Sequence, residues 1–392
     1  MSKGITFVGI DSAKNHNVVA VLTPGVKKEE AIVFKAANNT QGTKRLIKRI
    51  QQEAPGQIVA CYEAGPCGYG LQRHLESAGI RCPVVAPSLV PVKPGERIKT
   101  NRRDAKKLAQ HLRSGDLTEV HPPSEAEEAV RDLCRCRESA RGDLTRSRHR
   151  LSKLLLRHSV HYSGTAWTQK HRVWLRGLNF EHAAVQATFE DYLGQVEHHE
   201  ERLKGLMAKL EAVSHTEPYR GAVGWLRCFR GIDTVTAMTI VAELHDFRRF
   251  KSPRMLMSYL GLVPSEDSTG DDANRGAITK AGNKHVRRVL VEASWSYRHK
   301  PAVGMTLRKR REGQPGWVIA IADRAQTRLS RRYWKLMMKG KHHNKAVTAV
   351  ARELVGFIWA VLYQRHAVEV LAQQEDTPRK RRGNKVGQRR RR

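Results

Sequence analysis

The apolar positions of the chain follow two regimes. From Ile5 to about Gly115 they come as short runs rich in Val, Ile and Ala: ITFVGID, NVVAVLTP, AIVFKAAN, QIVACYEA and RCPVVAP. Such runs read as strands. The stretches TKRLIKRIQQE and YGLQRHLESAG, which separate the later runs, carry apolar residues at three- and four-residue spacing and read as helices. The pattern predicts an α/β domain over residues 1–118, with three adjacent strands first and helices alternating with strands afterwards.

Beyond HPPSEAEEA the strands stop. Ser124 and Glu127 stand at capping-box spacing before a long helical pattern that carries Val130, Leu133, Leu144, Leu151 and Leu155. Farther on, Leu193, Val196, Leu203, Leu206, Leu210 and Val213 recur among charged residues at heptad-type intervals, which predicts a coiled-coil hairpin or stalk within 119–218. Residues 219–370 read as a mostly helical domain, with a turn at Gly231, a helix capped by Ser252, and two further helices in KAGNKHVRRVLVEASWSYRH and KAVTAVARELVGFIWAVLYQRH. The end, 371–392, is nearly all Arg, Lys and Gly from Thr377 onward. Its composition predicts a disordered basic tail that meets phosphates without sequence preference.

Charge narrows the function. The chain has 392 residues, with 71 Lys and Arg against 38 Asp and Glu, a formal net charge of +33. Such an excess costs self-repulsion that a polyanion relieves, so nucleic acid is the expected partner. A membrane partner is not expected, because no run of about 18 apolar residues stands out and the N-terminus lacks the apolar core of a signal peptide. The expected location is the cytoplasm, in association with the nucleoid. Cys61, Cys67, Cys82, Cys134, Cys136 and Cys228 include no paired C-x-x-C set, which argues against a zinc site or a disulfide framework.

Three acids are placed to do chemistry. Asp11 closes the run TFVGID and Glu63 follows IVACY, so both emerge at the ends of buried strands. Asp104 lies in IKTNRRDAKKLA, on the helix after the last strand, among Lys99, Arg102, Arg103, Lys106 and Lys107. A helix packed on the sheet can aim Asp104 at the same point. Three oxygen ligands of this kind suit Mg²⁺ or Mn²⁺. The surrounding cations then match a substrate that brings its own negative charge.

The three meandering strands followed by alternating helices and strands resemble the ribonuclease H-like, or RuvC-like, fold. The segments GIDSAKNHNVVAV, CYEAGPCGYGLQRHLESAG, KTNRRDAKKLA, LRCFRGIDTVTAMTIVAEL and YLGLVPSEDSTGDDANRGAITKAGNKHVRRVLVEA, taken in order, resemble the transposases of the insertion-sequence 110 family, DEDD-type bacterial recombinases guided by a bridge RNA. The resemblance implies a RuvC-like domain, a coiled coil and a helical transposase domain with a nucleophilic serine. It also implies metal ligands at Asp11, Glu63, Asn101 and Asp104, donor and target DNA and a guide RNA as partners, and a dimer or tetramer.

Two departures stand out. Asn101 occupies the place of the first carboxylate in the family's K-T-D-x-x-D pattern, and an amide carbonyl binds a cation with less charge. In SEDSTGDD the family's serine position, just before the glycine, holds Thr269, with Ser268 one residue earlier. Either hydroxyl could attack; register favours Thr269, and the methyl that crowds a threonine oxygen favours Ser268. Downstream, Arg275, Lys280, Lys284, Arg287 and Arg288 are the expected nucleic-acid contacts of the helical domain. Two other classes stay open: a metal-dependent nuclease or junction resolvase that uses water, and a nucleic-acid-binding protein whose site has decayed.

Overall fold

The computed structural model describes residues 4–91, 100–267 and 274–375, with side chains up to residue 364. The chain divides into two compact units, Met1–Ser124 and Glu125–Arg392.

The first unit is built on one mixed sheet. Strands β1 (Ile5–Ser12), β2 (His16–Leu22) and β3 (Ile32–Ala37) form an antiparallel meander. β4 (Gln57–Glu63) joins β1 in parallel, β5 (Val84–Val85) joins β4 in parallel, and β6 (Glu119–Val120) closes the far edge in antiparallel. The spatial order is β3-β2-β1-β4-β5-β6. Helices α1 (Thr40–Glu53), α2 (Gly70–Ser77) and α3 (Asn101–Ser114) complete the unit.

Strand alternation divides the buried residues between the two faces. On one face Val8, Ile10, Val19 and Tyr62 pack with Leu46 and Ile50 of α1 and Leu71 and Leu75 of α2. On the other, Val18, Ala20 and Leu22 meet Ala105 and Ala109 of α3, while Cys61 and Val85 meet Leu108. Each fully buried Leu or Ile contributes about 1.5–3 kcal/mol.

The second unit is helical. Its first helices are α4 (Glu125–Arg157), α5 (Gln169–Arg176) and α6 (Ala183–Ser214). α4 and α6 pack side by side, α6 burying Phe189, Val196 and Leu203 and α4 burying Ala140, Leu144, Leu151 and Leu155, while Leu210 near the end of α6 joins the main core. The seven-residue interval on α6 is therefore spent on a partner within the same chain. Arg148 and Arg172 both bind Glu200 beside this seam. The main core follows, formed by α7 (Tyr219–Arg227), α8 (Thr234–Leu244), α9 (Pro253–Tyr259), the hairpin β7 (Pro264–Glu266) and β8 (Arg275–Ile278), α10 (Lys284–Ser294), α11 (Met305–Arg311), α12 (Gly316–Met338) and α13 (His343–Glu375).

The membrane expectation needs one correction. Within α13, His343–Gln364 is long and apolar enough, by length and composition, to cross a membrane, and half of it is buried. The charged pair Arg352 and Glu353 interrupts the run and hid it from a search for unbroken apolar residues. Ala346, Val350, Leu354, Ile358 and Val361 sit in the same apolar core as α8 and α10, which is the position of a core helix.

Candidate active site

The acid end of the sheet is set by one glycine. A Cβ on Gly9 of β1 would lie 2.1 Å from the Ala105 carbonyl oxygen and 2.4 Å from the Ala109 amide nitrogen. Both obstacles are backbone, so only glycine allows α3 to lie this close to β1. The contact also fixes faces. Asp11, two residues beyond Gly9, projects to the α3 side of the sheet. The Cys61 thiol donates to the Leu108 carbonyl at 3.7 Å, so Glu63, two residues beyond Cys61, projects to the same side. Ile10 is the register partner of Tyr62, which puts Asp11 and Glu63 one step farther along neighbouring strands.

The direction of α3 brings the third acid to that end. Ala105 packs with Val18 and Ala20, and Ala109 packs with Leu22. Val18 is the partner of Asp11 and Leu22 that of Phe7, so α3 runs opposite to β1 and its first turn lies toward Asp11. Thr100, in extended conformation, accepts a hydrogen bond from the Arg103 amide and starts the helix. Asn101, Asp104, Ala105 and Leu108 then share a helical face by their three- and four-residue spacing. Asp104 also gains from the positive end of the helix dipole. Burial, followed by the nearby Glu63 charge, pushes the Cys61 thiol far above its ordinary range, so this cysteine is an inert packing group.

The expected cations divide by environment. Arg102 and Arg103 are exposed at the start of α3, Lys106 donates to the Glu29 carbonyl, and Lys107 is half-buried. In the helical unit Lys280 and Lys284 are exposed and Arg275 is 3.5 Å from Glu266. Arg287 instead donates to the carbonyls of Leu260 and Ala281, at 2.9 and 2.8 Å, and Arg288 binds Glu138 and Glu292. Lys99, Ser268 and Thr269 lie outside the described residues. The hairpin that frames the two hydroxyls is well tied at its base. Asp267 donates its amide to the Asn274 carbonyl, and Ser265 donates to the Ala277 carbonyl. At Gly282, with φ +65°, a Cβ would meet the Tyr259 carbonyl oxygen at 1.9 Å, so the return from the hairpin passes against the end of α9 through a position open only to glycine.

Comparison with known proteins gives the family. Residues 8–160 match a transposase family of the IS110 DEDD type, and residues 225–306 match the transposase IS116/IS110/IS902 family. The y4qE protein of Sinorhizobium fredii is 44% identical over 91% of this chain and 88% of its own length. The transposase for insertion sequence element IS1533 of Leptospira borgpetersenii is 37% identical over 86% of this chain and 97% of its own. The chain belongs to the IS110 family of insertion-sequence transposases. The transposase for IS1328 of Yersinia enterocolitica is more distant, at 24% identity over 92% of this chain.

As an IS110 transposase the chain is an enzyme that cleaves DNA and transfers strands. Its first matched region contains Asp11, Glu63, Asn101 and Asp104, and its second contains the β7–β8 hairpin. The donor set is oxygen only, which suits a hard cation. Among the described residues, however, no three His, Cys, Asp or Glu side chains are gathered closely enough to hold a metal ion. The acids share an end and a face of the sheet without a closed three-carboxylate cluster. Sequence reasoning missed Glu243, a buried acid in the apolar helix TVTAMTIVAEL. Desolvation opposes its charge, but hydrogen bonds from Arg135 and Asn283 outweigh it and hold the carboxyl below its ordinary range. An acid within an otherwise apolar helix was the available signal.

Proposed function

We propose that this transposase is an RNA-guided DNA recombinase, in which a hydroxyl of Ser268 or Thr269 attacks a DNA backbone phosphate. The new ester bond to phosphorus forms as the bond to the leaving sugar oxygen breaks, so the phosphodiester is conserved as a protein–DNA link. The attacking hydroxyl loses its proton and the sugar oxygen gains one. A sugar hydroxyl of the exchanged strand then reverses the step.

To hold Mg²⁺ or Mn²⁺, Asp11, Glu63 and Asp104, with Asn101 as a neutral oxygen donor, would have to draw closer than they stand in this structure; the cation would then neutralise charge on the phosphoryl oxygens. Arg102 and Arg103, exposed beside Asp104, attract the DNA backbone, and Lys99 extends the basic run that contains them. The observation that carries the reading is the reversed course of α3, which brings Asp104 to the end of the sheet where Asp11 and Glu63 stand. Guide-RNA binding rests on the family resemblance and on the net charge of +33. Exchange between two duplexes requires at least two active sites, hence a dimer or tetramer working in the cytoplasm.

The test mixes purified protein, the RNA transcribed beside its gene, labelled DNA and Mg²⁺. A denaturation-resistant protein–DNA species is expected, and mass spectrometry should place the phosphate on the peptide containing Ser268 and Thr269. If DNA is cut without any adduct, and still cut after both hydroxyls are removed, the covalent step is wrong and water is the nucleophile.

A further inference from the structure

Two sizeable hollows lie in the helical unit. Two adjoining cavities, of about 1100 and 1120 Å³, share Pro253, Met257, Arg328, Arg332 and Glu353 and form one groove between α9, α12 and α13. One end is lined by Arg275, Gly276 and Ile278 of the β7–β8 hairpin. The α12 and α13 walls lie beyond residues 225–306, so the family match to that part of the chain does not include them.

The groove is basic to an unusual degree. Ten Lys and Arg line it against two acids, Asp323 and Glu353. Both acids are already engaged: Asp323 binds Arg311 at 2.8 Å, and Glu353 binds Arg328 at 2.9 Å and Arg332 at 3.2 Å. Arg324, Arg328, Arg331 and Lys335 stand at intervals of four, three and four along α12, which makes one exposed cationic stripe opposite the buried Ala325 and Leu329. Of these, Arg324, Arg331 and Lys335 have no carboxylate partner among the described residues. Across the groove stands Arg352 of α13. The floor is apolar: a Cβ on Gly356 would already touch the Met257 Cε at 3.4 Å, and Phe357 lies beside it. Lys280, at the hairpin end, is held at φ +55°, a conformation that costs any residue with a side chain and costs glycine nothing.

A basic rim over an apolar, partly aromatic floor is the chemistry of a single nucleic-acid strand, with phosphates on the rim and bases below. Together the cavities have room for a few nucleotides of one strand, and an apolar floor seats unstacked bases that the closed stack of a duplex would not present. We propose that this groove seats one unpaired DNA strand beside the scissile phosphate and delivers it to the β7–β8 hairpin. The choice of DNA over RNA rests on the reading that the hydroxyls of that hairpin attack DNA.

The test compares the full-length protein with two triple variants of equal charge loss. One carries Arg324→Gln, Arg331→Gln and Lys335→Gln on α12. The control carries Arg150→Gln, Lys153→Gln and Arg157→Gln on the exposed face of α4. Fluorescence anisotropy is read with a short labelled single-stranded DNA, the same sequence as duplex, and the same sequence as RNA. Three lost contacts lower the log-log salt slope for single strands by about 2, so between about 50 and 200 mM salt the wild type should lose on the order of tenfold more affinity for single-stranded DNA than the α12 variant. The α12 variant should also bind more weakly at the low-salt end, and the α4 control should change little.

Equal effects of the two variants would reduce the groove to general charge and overturn the proposal, as would an effect confined to duplex or to RNA. The wild-type adduct is assayed separately. Its absence alongside lost binding in the α12 variant would overturn the hydroxyl chemistry and uphold the groove as a strand site. Its presence alongside unchanged binding would do the reverse.

Discussion

In the sheet unit three acids come from β1, β4 and α3, and each is placed by backbone: two by ladder register, one by a helix lying on a glycine. In the helical unit ten cations come from α9, α12, α13 and the hairpin, and most stand on long, exposed side chains. The difference lies in tolerance. On the proposed chemistry, a carboxylate sharing a cation with two others would be spoiled by a small shift of its strand, whereas an arginine reaching for a phosphate would follow it. The acid end should therefore respond to steric changes in the backbone, and the groove only to charge.

The strongest way to break this comparison is Gly9→Val. The added side chain meets the backbone of α3, and overpacking of this kind costs about 1–3 kcal/mol or more. We expect recombination to be abolished and amide exchange to rise across β1 and α3, while single-stranded DNA binding by the helical unit persists. Near-normal recombination would mean that α3 does not have to lie on β1. Next in size, Asp11→Ala or Glu63→Ala should lower recombination on the order of a thousandfold. RNA affinity should barely change, because neither acid belongs to a basic surface. Activity within a few-fold of wild type would remove these carboxylates from the chemistry.

A third prediction sharpens the comparison on the helical side. His245 is buried, and desolvation, relieved in part by Glu127 and worsened by Arg131 and Arg249, lowers its pKa from 6.5 to about 4. The unfolded chain therefore takes up a proton on this imidazole first as pH falls. The stability contributed by a neutral His245 is complete above pH 6.5 and is lost as pH falls toward 4. Solvent screening leaves a full loss on the order of 2 kcal/mol. In His245→Gly the titration is gone, and φ +51° at that position suits glycine. Denaturant unfolding of the helical unit should depend less steeply on pH over that interval, with His171, whose pKa burial also lowers, keeping its share, and an unchanged slope would assign the acid sensitivity elsewhere. The smallest effect is expected of Asn101→Asp, which restores a carboxylate on the exposed first turn of α3. Activity should hold or rise a few-fold, or reach its plateau at lower Mg²⁺. A severe loss would give Asn101 a role other than that of a neutral ligand.

Much of the sheet unit was legible in the sequence, because strand alternation and strand-end acids are local signals. Asp11 and Glu63 could be placed at strand ends by counting, and Asp104 on the helix that follows the last strand. The role of Gly9 could not be read, because a glycine inside a strand does not reveal which element presses on it. The helical unit was less legible for a related reason. Arg287 and Arg288 look like their exposed neighbours in a basic helix, yet one caps carbonyls of Leu260 and Ala281 and the other joins Glu138, 150 residues away. The heptad pattern of α6 indicated a seam without saying that α4 supplies its other side. The groove was invisible, since its walls come from segments near 254, 328 and 352 that no short-range periodicity connects.

Gly9 also bears on how copies of such an element die. Every single-base change that converts a glycine codon to a sense codon for another residue adds a side chain, so every missense change at this codon introduces atoms where α3 has none to yield. A copy can therefore lose its ability to move through one nucleotide, with all of its acids and hydroxyls still encoded. A survey that judges whether a copy is live by those residues alone would count such a relic as active.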